Sequence, residues 1–145
     1  MILIINTAVE DSFVIALANR KGILISQKKV LGKYVQAEKL LPSIDAMLKK
    51  NKVKQGDLTG IVVVKGPGGF TALRIGVITA NSFSFALGLP IIDFIVGDFS
   101  DYKDLALKAA TKFKKKENKK LVIPFYGREP NITKSKKNIL DSLKI

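Results

Sequence analysis

Hydrophobic residues in this 145-residue chain form short runs near its start and longer helical patterns afterwards. Three uncharged apolar runs, at residues 2–5, 13–17 and 23–27, have the length and composition of β-strands. The second and third are separated by a polar turn that contains Gly22, as is typical of a β-hairpin. The first part of the chain therefore predicts an antiparallel three-strand meander.

The rest of the chain alternates between segments with helical spacing of apolar residues and short apolar runs typical of strands. Apolar residues recur at helical spacing over residues 35–50, 71–87 and about 98–115, which predicts three helices. Between and after them, apolar runs at residues 61–64, 91–95 and 121–125 predict three more strands. This order is typical of an α/β fold, in which an antiparallel meander continues into parallel strands through helical crossovers.

This order of elements is that of the ribonuclease H-like fold. The same fold makes up one of the two lobes in proteins of the actin-like ATPase superfamily. We expect residues 1–145 to form a single lobe with a mixed sheet and flanking helices, and a loosely packed basic tail from about residue 126. The fold alone leaves the function open.

The predicted helix 71–87 carries small residues at intervals of four, which place them on one face. They are Ala72, Gly76, Ala80, Ser84 and Gly88. Such a face lets another element approach closely, and the remaining positions are almost all apolar. Packing within the chain and a helix–helix interface with another molecule both account for this pattern.

Composition excludes several kinds of chemistry. The chain has no cysteine and no histidine, so catalytic triads with histidine and thiolate metal sites are ruled out. Its net charge is +13, but only three of the 25 cationic residues are arginine. This favours a solvated basic surface over a dedicated nucleic-acid site. Neither a signal peptide nor a membrane span is recognisable, so we expect a cytoplasmic protein.

The link between residues 65 and 71 is rich in glycine and leads into a helix. Backbone N–H groups at such a helix start can bind an anion, and Thr71 is a candidate cap. The Walker pattern needs a lysine and a hydroxyl after its last glycine, and Phe70 and Thr71 stand there instead. We therefore predict a structural turn rather than a phosphate site.

Four segments resemble the TsaB (YeaZ) family, the bacterial partner proteins in threonylcarbamoyl modification of adenosine in transfer RNA. GPGGFTALRIG, at residues 66–76, is similar to the family's GPGSFTGLRIG. The opening LIINTAVEDSFVIAL resembles ILxIDTATxxxSVAL, AEKLLP at residues 37–42 resembles HAExLLP, and PFYGREP at residues 124–130 resembles a closing PxYxR. The motif loop comprises Gly66, Pro67, Gly68, Gly69, Phe70, Thr71 and Arg74.

Two substitutions and the chain length depart from this family pattern. Asn6 stands where the family and its ATP-binding relatives usually carry an aspartate, and Gln36 replaces a histidine. By comparison with the family, the resemblance implies that the second lobe is absent or reduced to the segment 98–120. Because an actin-like nucleotide site needs a cleft between two lobes, the resemblance implies a non-catalytic protein without a cofactor.

We therefore predict a scaffold subunit of the complex that forms threonylcarbamoyladenosine in transfer RNA. Its helices 35–50 and 71–87 are expected to pack on a paralogous catalytic (TsaD-like) subunit or on a second copy of the chain, with an accessory (TsaE-like) ATPase as a further partner. Transfer RNA would then lie nearby. The predicted contact residues are Leu40, Ile44, Met47, Ala72, Leu73, Gly76, Val77, Ala80 and Ser84.

Two alternatives remain open. A magnesium-dependent nuclease or phosphotransferase of the ribonuclease H-like type would use carboxylate ligands. The candidates are Glu10, Asp11, Asp57 and Asp93, whose spacing matches no recognisable metal site. A basic RNA-binding module would instead bind transfer RNA by itself, with an affinity that falls steeply with salt.

Overall fold

The computed structural model describes residues 1–127, so the predicted tail from residue 128 onward lies outside the described residues. Five strands form one sheet: β1 (Ile2–Asn6), β2 (Ser12–Ala18), β3 (Leu24–Leu31), β4 (Gly60–Gly66) and β5 (Ile91–Ile95). The helices are α1 (Gln36–Lys50), α2 (Phe70–Leu87) and α3 (Tyr102–Lys114). Two short 3₁₀ turns, Gln55–Asp57 and Val96–Asp98, precede β4 and α3.

The sheet is mixed, which confirms the prediction. Its strand order is β3-β2-β1-β4-β5, with antiparallel pairing from β1 to β3 and parallel pairing from β1 through β4 to β5. Ile2 at the start of β1 lies opposite both Ala18 at the end of β2 and Gly60 at the start of β4. The amino end of β1 therefore lies beside the β2–β3 turn and the chain that enters β4.

Alternate residues of β1 enter two separate cores, since successive side chains of a strand point to opposite faces. Leu3 and Ile5 pack with α1 and α2, whereas Ile2 and Ile4 pack with α3. The sheet is thus covered by two helices on one face and by one helix on the other. This explains why β1, β2 and most of β4 are apolar without alternation.

The strand predicted at residues 121–125 is wrong. This segment is extended but forms no strand ladder. Lys119 N–H, just before it, donates to the Ile91 carbonyl of β5, and Phe125 N–H, at its end, donates to the Lys65 carbonyl of β4, both at 2.8 Å. It then follows α2, where the Asn81 side chain accepts from the Val122 N–H at 3.0 Å and donates to the Val122 carbonyl at 2.9 Å. The side-chain amide of Asn81 thus replaces a neighbouring strand. We refer to residues 119–127 as the strap.

Candidate partner interface and glycine-rich cleft

The motif loop joins β4 to α2 between two other pieces of the chain. On one side, Gly68 lies so close to the β1–β2 loop that a Cβ there would come within 3.0 Å of Ala8 Cα. On the other side, a Cβ on Gly66 would overlap the carbonyl oxygen of Phe125 in the strap. The predicted turn role of these glycines is supported by this packing. The predicted cap is wrong, because α2 begins at Phe70 with Gly69 as its cap residue and no side-chain cap bond.

The strap holds the motif loop through aromatic and polar contacts. The ring of Tyr126 lies 4.3 Å from the ring of Phe70, centroid to centroid, and Arg74 Nε donates to the Tyr126 hydroxyl at 3.1 Å. Phe125 N–H also donates to the Lys65 carbonyl at 2.8 Å. GPGGFTALRIG and PFYGREP, which are far apart in the sequence, therefore meet in the fold. An aromatic residue in each motif was the only sign of this contact in the sequence.

A cleft of about 630 Å³ lies beside the motif loop, at the carboxyl ends of β1 and β4. It is lined by the β1–β2 loop, the segment before α1 and the first turn of α2. Lys33 and Gln36 are the polar side chains on one wall, and Glu10 and Asp11 are at another. Gln36 is buried, and its amide donates to the Ser12 carbonyl at 3.4 Å.

The four carboxylates proposed as magnesium ligands do not come together. Glu10 and Asp11 line the cleft, while Asp57 lies at the other end of β1, where the Met1 amino group donates to its carbonyl. The carboxylate of Asp93 forms salt bridges with two lysines. Among residues 1–127, no group of three acidic, histidine or cysteine side chains is close enough to hold a metal ion. These four carboxylates, which were considered as ligands only for the alternative of a magnesium-dependent enzyme, therefore do not form one site.

Asp93 in β5 forms a charge cluster that ties the strap to the sheet. Its carboxylate lies 3.1 Å from Lys65 Nζ and 3.0 Å from Lys119 Nζ. Burial raises the pKa of Asp93, but hydrogen bonds and charge from Lys119 and Lys65 outweigh burial, so its pKa lies below the ordinary value. The carboxylate is therefore ionised in the folded protein at neutral pH.

We expect Asp93→Asn to lower the free energy of unfolding at pH 7 by about 1–2 kcal/mol, since two lysines lose their charged acceptor. A lowered folded-state pKa stabilises the protein above the unfolded-state pKa of about 4, and this contribution disappears as the pH falls through the folded-state pKa. Urea unfolding between about pH 2.5 and 7 measures both effects. The variant should lose less stability on acidification than the wild type.

Asp45→Asn is the matched control, because Asp45 and Lys49 form an exposed pair on one helix at 2.9 Å. Such pairs contribute about 0.3–0.5 kcal/mol. Equal acid sensitivity of Asp93→Asn and wild type would show that Asp93 does not contribute to the pH dependence.

Asn6, at the end of β1, has a structural role. It is buried, its Oδ1 accepts from the Ala8 N–H at 2.9 Å, and its Nδ2 donates to the Tyr102 hydroxyl at 2.9 Å. Burial raises the pKa of Tyr102, and the hydrogen bond from Asn6 offsets part of that rise. The amide thus fixes the β1–β2 loop and links β1 to the first turn of α3.

The structure places most of the predicted contact residues in the core of the chain itself. Leu40, Ile44 and Met47 of α1 and Leu73, Gly76, Val77, Ala80 and Ser84 of α2 are buried, and only Ala72 is partly exposed. The small-residue face therefore points inward, since a Cβ on Gly76 would overlap the Thr7 hydroxyl of the chain itself. These buried side chains are unavailable to a partner in this conformation.

The outer sides of the same two helices carry the apolar groups that the sequence analysis overlooked. Phe85 is 92% exposed, Ile78 is 63% exposed and Leu41 is 58% exposed. Leu121 and Ile123 of the strap are also exposed, and they flank Val122, which is bonded to α2. We call Leu41, Ile78, Phe85, Leu121 and Ile123 the outer apolar patch.

Comparisons with known proteins match part of this chain. A family model described as "TsaD: tRNA N6-adenosine threonylcarbamoyltransferase" matches residues 35–94, which include α1, β4, α2 and β5. The TsaB protein of Buchnera aphidicola subsp. Schizaphis graminum is 39% identical over 79 residues, covering 54% of this chain and 35% of the relative. The TsaB protein of Bacillus subtilis is 31% identical over 74 residues, covering 47% of this chain and 32% of the relative.

Solved structures agree on the fold. YeaZ from Pseudomonas aeruginosa superposes with a TM-score of 0.60 at 24% identity, over 65% of this chain and 43% of that one. This likeness confirms the predicted actin-like, ribonuclease H-like fold. The matched part of the chain spans about a third of the length of the curated relatives. The motif loop, the sheet and these relatives together support the assignment of this chain to the TsaB (YeaZ) family.

Proposed function

We propose that this chain is a non-catalytic subunit of a cytoplasmic complex that forms threonylcarbamoyladenosine in transfer RNA. In this proposal, the outer apolar patch binds a paralogous catalytic subunit. The relatives named TsaB carry the biosynthesis of this nucleoside in their names, which supports the pathway. The outer apolar patch is the single observation that carries the binding role.

The surface of α2 is unusually apolar for an exposed helix. Arg74 is its only charged residue, and its 18 residues have a mean hydropathy of 1.3. By length and composition alone, the helix would be long and apolar enough to cross a membrane. Its inner side packs on β4 and α1, but only five of its 18 residues are buried. The outward side of α2 exposes the large apolar side chains of Ile78 and Phe85 among small and polar residues, as is typical of a protein interface.

The family match indicates what kind of partner fits this patch. The segment matched by the transferase family model is α1-β4-α2-β5, so the transferase family carries the same helix pair. Related surfaces are well suited to pack on one another about a twofold axis, with two helices from each subunit. A second copy of this chain would satisfy the same geometry, and competition with the catalytic subunit distinguishes the two.

The residues of the chain support a non-catalytic role. It has neither histidine nor cysteine, and its four candidate metal-binding carboxylates lie apart. Asn6 uses both atoms of its amide group to hold the β1–β2 loop and Tyr102. The catalytic groups are therefore expected on the partner.

Phe85→Lys is expected to weaken binding of the catalytic subunit by about 30-fold or more, as for a central aromatic anchor in an interface. Phe85 is 92% exposed, so the substitution leaves the core intact. Titration calorimetry measures the affinity, and reconstituted modification of transfer RNA should fall in parallel at limiting subunit concentration.

Leu107→Lys is the matched control, because Leu107 is a 55% exposed apolar residue of α3 on the opposite face of the sheet. We expect it to bind the catalytic subunit like wild type. Equal affinity of Phe85→Lys, Leu107→Lys and wild type would disprove the proposed interface.

A further inference from the structure

The fold brings three connections to the same end of the sheet. The β2–β3 turn lies there, because Ala18 pairs with Ile2 at the start of β1. The α1–β4 connection lies there as well, since the Met1 amino group donates to the Asp57 carbonyl at 2.9 Å. The end of α3 joins them, because a Cβ on Gly60 would come within 2.6 Å of Phe113.

These three connections contain nearly all the excess positive charge. We call residues 19–22, 49–57 and 112–120 the basic pole. Together they hold twelve lysines and arginines but only two carboxylates, Asp57 and Glu117. The remainder of residues 1–127 holds eight cationic and eight acidic residues, so it is neutral. The net charge of the described chain is therefore concentrated at the pole, although Lys49 and Lys119 pair with Asp45 and Asp93 outside it.

Helix stability explains only part of this cluster. Lysines in the last turn of a helix interact favourably with its dipole, which accounts for Lys49 and Lys50 of α1 and Lys112 of α3. It does not account for Arg20 and Lys21 in the β2–β3 turn.

Two other lysines of the pole occupy unfavourable backbone positions. Lys52 and Lys116 follow the ends of α1 and α3 with φ angles of 55° and 56°. Glycine or asparagine is the usual residue at such a helix end, and another residue costs about 1 kcal/mol there. Both positions therefore carry a lysine where glycine would cost less.

We propose that the basic pole binds the phosphate backbone of RNA. Its cations are almost all lysines, which neutralise phosphates as point charges and carry little base specificity. A cleft of about 460 Å³ gives α3 a concave surface, which is lined by Lys108, Lys112 and Lys115 but also by Asp98 and Glu117. Exposed apolar side chains flank the pole at Ile23 (55%) and Leu121 (63%), so binding to anionic vesicles is measured alongside binding to RNA.

The choice of transfer RNA as the ligand rests on the proposed function, while the basic pole itself does not. The pole lies at one end of the sheet, and the outer apolar patch lies on its α1–α2 face. A catalytic subunit on the patch would therefore leave the pole accessible to the same complex's RNA. In this proposal the pole increases the affinity of the complex for RNA, and the catalytic subunit recognises the bases.

The test compares two variants that carry the same net charge. The pole variant combines Lys52→Gly, Lys54→Gln, Lys115→Gln and Lys116→Gly, with glycines where the backbone favours them. The control variant combines Lys28→Gln, Lys29→Gln, Lys39→Gln and Lys103→Gln, all exposed and outside the pole. Binding of an unmodified transfer RNA transcript is measured by fluorescence anisotropy from about 0.05 to 0.2 M salt.

We expect the pole variant to bind at least about tenfold more weakly, with a salt slope shallower by roughly two or more, since each lost phosphate contact reduces the slope by about 0.9 on a duplex. The control should lose less than about threefold. Equal losses in both variants would overturn the proposal, as would no binding by the wild type at about 0.05 M salt. Preference for phosphatidylserine vesicles over the transcript would overturn it too.

Failure of the pole and failure of the proposed function give different results. The pole variant should keep its affinity for the catalytic subunit, and Phe85→Lys should keep its affinity for the transcript. If the wild type binds RNA through the pole but no catalytic subunit, only the proposed function fails.

Discussion

Gly76→Ala is expected to lower the free energy of unfolding by about 1–3 kcal/mol, as for overpacking of a tight core. A Cβ at this position would overlap the Thr7 hydroxyl and come within 2.8 Å of Thr7 Cγ2. Thr7 is 1% exposed at the end of β1, so it has little room to move. Its Oγ1 already has no hydrogen-bond partner within the described residues. Urea unfolding followed by circular dichroism measures the loss.

Gly97→Ala serves as the control, since a Cβ there meets nothing within 4 Å, and its stability should stay within about 0.5 kcal/mol of wild type. Combining Gly76→Ala with Thr7→Ala removes both atoms in closest contact, so the double variant should be more stable than the sum of the single changes. Additive effects would show that Thr7 is not what constrains Gly76. Any substitution of Gly76 thus tests folding, and Phe85 is the residue that tests the interface.

The small-residue face shows how far sequence reasoning reached. The small residues at every fourth position correctly predicted that another part of the protein approaches α2 closely at Gly76. It could not identify that element, because α2 is apolar almost all round and its pattern gives no inward direction. The contact is with Thr7, which is distant in sequence. Only the packed structure shows that the outward side carries Ile78 and Phe85.

The strands that helices cover on both faces were predictable from their composition, whereas the strand predicted at residues 121–125 does not form. β1, β2 and β4 are continuous apolar runs because helices pack on both sides of the sheet. Residues 121–125 have the same composition, but Val122 bonds to the Asn81 side chain instead of to a strand. Pro124 also lacks the N–H that a ladder needs. Composition does not reveal which backbone partner is available.

The charge pattern was underestimated for a similar reason. Along the sequence the lysines look dispersed, since the three segments of the basic pole are about 30 to 60 residues apart. The β2–β3 turn and the carboxyl ends of α1 and α3 bring these segments together at the end of the sheet where β1 begins. Topology, rather than local sequence, creates the cluster.

Gly66→Ala is expected to detach the strap from the motif loop and to lower the free energy of unfolding by about 2–4 kcal/mol, from backbone strain and overpacking together. The φ angle of Gly66 is 141°, which side-chain-bearing residues rarely adopt, and a Cβ would overlap the Phe125 carbonyl. That atom is backbone and cannot rotate away. The Phe125 to Lys65 hydrogen bond and the contact of Tyr126 with Phe70 should be lost together.

Amide hydrogen exchange at Phe125 measures detachment directly, and urea unfolding measures its energetic consequence. Tyr126→Phe is the matched comparison, because it removes only the hydrogen bond from Arg74 and adds no clash. It should cost about 1 kcal/mol or less and leave the Phe125 amide protected. If Gly66→Ala kept that amide protected at wild-type stability, the strap would not depend on Gly66. If the strap detaches, Leu121 and Ile123 leave the outer apolar patch, so binding of the catalytic subunit should weaken as well.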